Sequence, residues 1–212
     1  MNRGKIETKE VFVKRNLRWW RENEASERVT RPPYYQAFWD RWNLDKVISP
    51  GMVIGEVGPG PFGGMLEVLG VPAQKKVFID YVMEELRGLQ FIPWPKEAEF
   101  VNSPFEKIDL PDNYCDLLVS YNALDHGWDV GKGLVECARV SKVCVLSFDC
   151  RADSVEELQR VDLDHFTKVK YRTITRLVQK RFGTLGVVKP FKKKRANGRY
   201  KTHLTAEVRI GK

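Results

Sequence analysis

The sequence predicts an α/β chain: a doubly wound, seven-stranded mixed sheet with an N-terminal helical cap. Three observations predict it. From residue 49 onward short apolar runs alternate with helical segments, the pattern of parallel strands joined by crossover helices. A glycine-rich turn follows the first apolar run, where a strand must reverse tightly into a helix. Near the C-terminus Asn197-Gly198 separates two extended segments, a short-range hairpin signal, so the last two strands add an antiparallel pair to the sheet.

The elements follow in order. Residues 6–28 are charged with apolar anchors at Val11, Leu17, Trp19 and Trp20, which predicts a helix. Arg31-Pro32-Pro33 predicts a break, because proline removes a helical donor and crowds the preceding turn. Tyr34–Trp42 predicts a second helix. Strands are predicted at Met52–Val57, Lys76–Ile79, Glu99–Val101, Cys115–Tyr121 and Lys142–Phe148. Helices are predicted at Gly64–Leu69, Val82–Leu89 and Gly131–Val140. Thr167 is read as the cap of a helix reaching Phe182 and closed by Gly183. Thr184–Phe191 and Tyr200–Ile210 form the terminal hairpin. The domain division is residues 1–48 as cap and 49–212 as the main unit.

Composition narrows the function classes. The 212 residues carry a formal net charge of +8, but residues 1–50 contribute +4, residues 51–150 contribute −7 and residues 151–212 contribute +11. The chain is an acidic middle between basic flanks, a statement about partners and not about fold. No apolar run is long enough to span a bilayer, and the charged stretch MNRGKIETKEVFVKR lacks the apolar region of a secretory signal. A cytoplasmic protein with no membrane partner is expected. Four cysteines, at 115, 137, 144 and 150, show no CxxC spacing, and three scattered histidines show no ligand spacing. Reduced, structural thiols and no metal are expected.

Four of the six tryptophans lie within residues 1–50. Either these aromatics glue a helical appendage to the main unit, or some of them roof a ligand site. The basic run Lys192–Arg195 is open in the same way. It contacts phosphates, or it is a solvated loop guarding a sheet edge.

The most specific stretch is Val53-Ile-Gly-Glu-Val-Gly-Pro-Gly-Pro-Phe-Gly-Gly64. Gly58, Gly60 and Gly63 satisfy G-x-G-x-x-G between a strand and a helix, so a ligand lies against backbone at a helix start. Asp80 ends the next strand twenty residues past Gly60, where a carboxylate suits two vicinal ribose hydroxyls. Two features argue against NAD. Glu56 places a carboxylate at the end of the first strand, repelling a pyrophosphate. Pro59 and Pro61 remove two N–H groups that an anion would need. An adenosine ligand bearing an ammonium and a sulfonium, S-adenosylmethionine, fits better. An NAD-linked oxidoreductase remains the alternative.

E-V-G-P-G-P-F-G-G, F-I-D and D-L-P-D-N-Y-C-D-L-L-V-S-Y-N-A-L-D-H together resemble the class I S-adenosylmethionine-dependent methyltransferases, particularly the small single-domain group. The resemblance runs from about residue 50 to the C-terminus and implies a Rossmann-like fold. It implies that Glu56 and the Gly58–Gly63 loop, including Pro59, hold the methionine part, Glu56 through the ammonium or by ordering the loop. It implies Asp80 on the ribose, Tyr81 against the adenine, and Asn122 facing the methyl donor. Where relatives place an aspartate for the adenine edge, this chain has Ser103 or Pro104. Adenine recognition then rests on groups near Phe105 or on Glu106.

Methyl transfer from a sulfonium needs positioning and at most one base. His126 is the base candidate, since imidazole titrates near neutrality; the alternative is a loop-corner hydrogen bond. Asp125 either reacts or orients it. His165 is a candidate for substrate contact. Tyr34 and Tyr35, after the double proline, are expected to roof the site. The expected acceptor is a small molecule, with nucleic acid the alternative.

Overall fold

The computed structural model describes residues 9–89, 91, 93–151, 170–183, 186–191 and 203–211. Seven strands form one sheet: β1 (Val53–Val57), β2 (Lys75–Asp80), β3 (Glu99–Asn102), β4 (Cys115–Tyr121), β5 (Ser141–Arg151), β6 (Gly186–Phe191) and β7 (His203–Gly211). Their spatial order is β3-β2-β1-β4-β5-β7-β6. The first five are parallel, while β7 runs antiparallel to β5 and to β6. The expected doubly wound mixed sheet with its terminal hairpin is present. The Asn197-Gly198 turn and the run Lys192–Arg195 lie outside the described residues.

The order reverses between β1 and β4, and it is there that open α/β sheets leave a crevice at the strands' carboxyl ends. Short apolar strands feed both faces. On one face Ile54, Phe78, Leu117 and Val119 pack under α2 (Gly64–Val68) and α3 (Met83–Gly88). On the other, Val57, Ile79, Leu118 and Leu146 pack under α4 (Val130–Val140) and α5 (Tyr171–Phe182). Each such side chain taken fully from water contributes roughly 1.5–3 kcal/mol. Asp129 caps α4, its Oδ1 accepting from the Lys132 N–H at 3.1 Å; α5 runs from Tyr171 to Phe182, and the expected cap Thr167 lies outside the described residues. All four cysteines are buried free thiols, and burial pushes the Cys115 thiol up to about 12.

The N-terminal segment departs from expectation. One helix, α1 (Lys9–Arg41), runs without a break through Pro32 and Pro33. The prolines still remove two donors, but bonds on either side bridge them. Arg31 Nε donates to Glu27, and Arg31 Nη1 donates to the Tyr35 hydroxyl at 3.1 Å. Downstream, Tyr35, Phe38, Trp39 and Trp42 are all buried against the α2/α3 face of the sheet. Tertiary burial of four aromatics outweighs the local cost of two prolines. The end of α1 is tied to the last strand by Glu207, which accepts from Arg41 Nε and from Trp42 Nε1, both at 3.0 Å. Among the described residues no helix is long and apolar enough to cross a membrane.

Candidate active site

β1 delivers the glycine loop. Gly58, Gly60 and Gly63 all have positive φ, at 69°, 64° and 77°, a region costly for side-chain-bearing residues. At two of them space matters as well: a Cβ on Gly58 would meet that of Ala123 at 2.2 Å, and one on Gly60 would meet the Trp20 ring at 3.0 Å. The loop is pinned to β2 by the Gly58 N–H, which donates to Ile79 O at 2.9 Å.

Beside this loop a cavity of about 270 Å³ opens at the carboxyl ends of β1, β2 and β4. Gly58, Gly60, Asp80, Tyr81 and Asn122 are on its wall, as are Ser103, Phe105, Glu106 and His126. Asp80 Oδ1 accepts from the Val82 N–H at 3.1 Å, which aims the carboxylate past the start of α3. Burial pushes its pKa up to about 6, against the lowering effect of the Val82 and Tyr81 N–H groups. Asn122 holds a left-handed φ of 56° and donates its N–H to Ser147 O at 2.7 Å, which turns the chain out of β4 towards the cavity.

The third wall depends on two glycines. A Cβ on Gly127 or Gly133 would lie 1.8 Å or 2.3 Å from the Phe105 ring, so the ring fits only because both lack one. Glu106 Oε1 accepts from the Trp128 and Asp129 N–H groups at 2.6 and 3.0 Å, tying this segment to the loop before α4. Ser103 Oγ accepts from the Asp109 N–H at 3.3 Å. Trp128, which sequence reading did not single out, meets Tyr81 edge-on at 5.2 Å.

Several expected site residues lie elsewhere. Glu56 is buried and off the cavity wall: Oε1 accepts from Met65 N–H at 2.7 Å and Oε2 from Leu66 N–H at 3.0 Å. Of its two expected roles, ordering the loop is the one this geometry performs. Burial pushes its pKa up to about 7, although the two N–H donors and the Arg31 charge favour the carboxylate. Pro59 and Gly63 shape the loop from buried positions but are not on the wall. Asp125 is fully buried and off the wall. His165 lies outside the described residues.

Tyr34 and Tyr35 do not roof the site. Tyr34 is exposed, and Tyr35 is buried in the core with its ring 5.6 Å from that of Tyr121. The roof comes from earlier in the same helix, from Arg15, Asn16, Trp19, Trp20 and Arg31. The N-terminal tryptophans divide: Trp39 and Trp42 are core, and Trp19 and Trp20 line the cavity. The signal for the roof was their clustering; their target, some forty residues away, was not readable locally.

These residues fit S-adenosylmethionine. Gly58 and Gly60, whose Cβ positions are already filled, bring backbone to the cavity, the Asp80 carboxylate is on its wall, and Pro59 and Pro61 leave the loop with fewer of the N–H donors that a pyrophosphate needs. Among the described residues no three His, Cys, Asp or Glu side chains group as a metal site.

Comparison with known proteins agrees. Residues 56–143 match the family model described as a methyltransferase domain. No curated protein sequence is detectably similar to the chain. Among solved structures, the YcgJ protein of Bacillus subtilis is similar at 13% identity, covering 84% of this chain and 99% of its own, with a TM-score of 0.62. The 1,6-didemethyltoxoflavin-N1-methyltransferase of Burkholderia thailandensis, solved with 1,6-didemethyltoxoflavin and S-adenosylhomocysteine, is similar at 12% identity with a TM-score of 0.62. It covers 96% of this chain and 88% of its own. At these identities the structures establish the fold, and the family match, which spans the glycine loop, Asp80 and Asn122, establishes the domain. Over residues 56–143 the chain therefore matches a methyltransferase domain, and its fold is one that S-adenosylmethionine-dependent methyltransferases share.

Proposed function

We propose that the chain methylates a small-molecule acceptor that reaches the methyl donor beneath α1, with His126 taking the acceptor's proton. The observation that carries this reading is the roof: Trp19, Trp20 and Arg31 close over the side of the cavity formed by the glycine loop, which restricts what can approach Asn122. Residues 1–48 then act as a cap over a catalytic unit of residues 49–212. The Burkholderia enzyme of this fold, solved with 1,6-didemethyltoxoflavin and S-adenosylhomocysteine both bound, is consistent with a small-molecule acceptor.

Each wall has a task in this proposal. The Asp80 carboxylate accepts from both ribose hydroxyls, and the Gly58–Gly60 backbone lies along the methionine part. Tyr81 and Phe105 flank the adenine, with Ser103 and Glu106 at its edge. Asn122 orients the reacting end. S-adenosylmethionine supplies, when bound, a methyl group on a sulfonium that leaves as a neutral thioether, so no protein nucleophile is needed. His126 accepts the O–H or N–H proton that the acceptor sheds as it is methylated, and Asp125 positions the imidazole.

A second reading, a nucleic-acid acceptor, has one observation in its favour. Arg172, Arg176 and Lys180 line the exposed side of α5 at i, i+4, i+8, and no carboxylate lies on that helix. Such a row can follow a phosphate backbone. Tritiated methyl transfer from S-adenosylmethionine into fractionated cell extract decides between the two. Label in the low-mass fraction, reduced about 100-fold by His126→Asn with S-adenosylhomocysteine affinity unchanged, is the expected result. Label in nucleic acid, lost when Arg172, Arg176 and Lys180 are replaced by glutamine, would overturn it.

A further inference from the structure

We propose that Arg31 holds the carboxylate of the cofactor's methionine moiety, so that α1 completes the cofactor site as well as covering it. The inference rests on the cofactor assignment above and adds a residue remote from every glycine-loop motif.

The methionine end is a zwitterion, and its carboxylate needs donors. The glycine loop is poor in them, because Pro59 and Pro61 have no N–H. The N–H groups of Met65 and Leu66, at the start of α2, are already bonded to Glu56. A cation above the loop would supply the donors that these positions lack. The two arginines on the cavity wall are Arg15 and Arg31, both in α1. They are sixteen residues apart, about 24 Å along a helix, so they do not serve one small group together. Arg31 is the one at the glycine-loop end. Its guanidinium carbon lies 4.5 Å from the centroid of the Trp20 ring, and that ring is the one against Gly60.

Arg31 is also prepared for a ligand. Nε is bonded to Glu27 and Nη1 to the Tyr35 hydroxyl, which fixes the guanidinium plane. Nη2 has no hydrogen bond among the described residues. Its side chain is 17% exposed, so a further ionic hydrogen bond forms in a partly dried site, where it is stronger than in water. A guanidinium already held by two bonds loses little freedom on gaining a third.

The test is calorimetric and needs no acceptor. Wild-type protein, Arg31→Gln and Tyr35→Phe are titrated with S-adenosylhomocysteine and with its decarboxylated analogue, S-adenosyl-3-thiopropylamine. Wild type is expected to bind the analogue roughly 10- to 100-fold more weakly. Arg31→Gln should weaken S-adenosylhomocysteine by a similar factor and leave the analogue within about twofold. Tyr35→Phe, which keeps the guanidinium, should preserve the discrimination. Equal losses for both ligands in Arg31→Gln, or no loss for S-adenosylhomocysteine, would overturn the proposal. If wild type binds neither ligand, the cofactor assignment itself fails and takes this proposal with it.

Discussion

Trp20 lies against Gly60, the indole 3.0 Å from where a Cβ on that glycine would stand. The roof of the cavity thus touches its floor across forty residues of sequence, and glycine is what permits the approach. Gly60→Ala would place a methyl in that contact at a φ of 64°, costing about 1–2 kcal/mol of stability. It should lower S-adenosylhomocysteine affinity at least tenfold in calorimetry. The double variant with Trp20→Ala should recover part of that affinity, because the clash then has no second partner.

Glu56 makes stability depend on pH. Its folded-state pKa, pushed up to about 7 by burial, lies above the unfolded value near 4.5, so the folded state binds the proton more tightly. Stability should therefore be greatest below about pH 4.5 as far as this group is concerned, and should fall as pH rises to about 7, by on the order of 3 kcal/mol. Glu56→Gln should remove that slope from urea denaturation curves taken between pH 5 and 8. It should also destabilise by about 1–3 kcal/mol, since an amide cannot accept from both Met65 and Leu66.

Arg41 and Glu207 anchor the roof. Glu207 is buried in β7 and bonded to Arg41 and Trp42, so Arg41→Met leaves its carboxylate without its cation. A loss of about 3 kcal/mol is expected in urea denaturation. Adding Glu207→Leu should return part of it, because the buried charge is then gone.

Asp80 couples pH to cofactor binding. Its carboxylate form is the acceptor for ribose hydroxyls, and burial pushes its pKa up to about 6. S-adenosylhomocysteine affinity should fall as pH drops through about 6, tenfold for each further unit once the acid form dominates. Asp80→Asn should bind more weakly at pH 8 and show a flatter profile.

Much of this was legible in the sequence because it is local. The strands, their punctuation by glycine and the spacing from Gly60 to Asp80 are written within short windows, and their observed bounds differ by a residue or two in most cases. The continuity of α1 was not legible, since proline's local cost is visible at Pro32 and Pro33 whereas the compensating burial of Phe38 and Trp42 is tertiary. Tyr35 was misplaced for a related reason: neighbours on a helix point about 100° apart, so helix rotation decides which one faces the cavity. Gly133 did carry a readable signal. Glycine inside a helix is unfavourable, and here it admits the Phe105 ring.

The most direct test of the central claim is a crystal structure of the protein with S-adenosylhomocysteine. The ligand is expected in the cavity under α1, its ribose hydroxyls on the Asp80 carboxylate, its methionine end beside Gly58 and its adenine between Tyr81 and Phe105. Ligand bound at another place, with this cavity empty at saturating concentration, would contradict it.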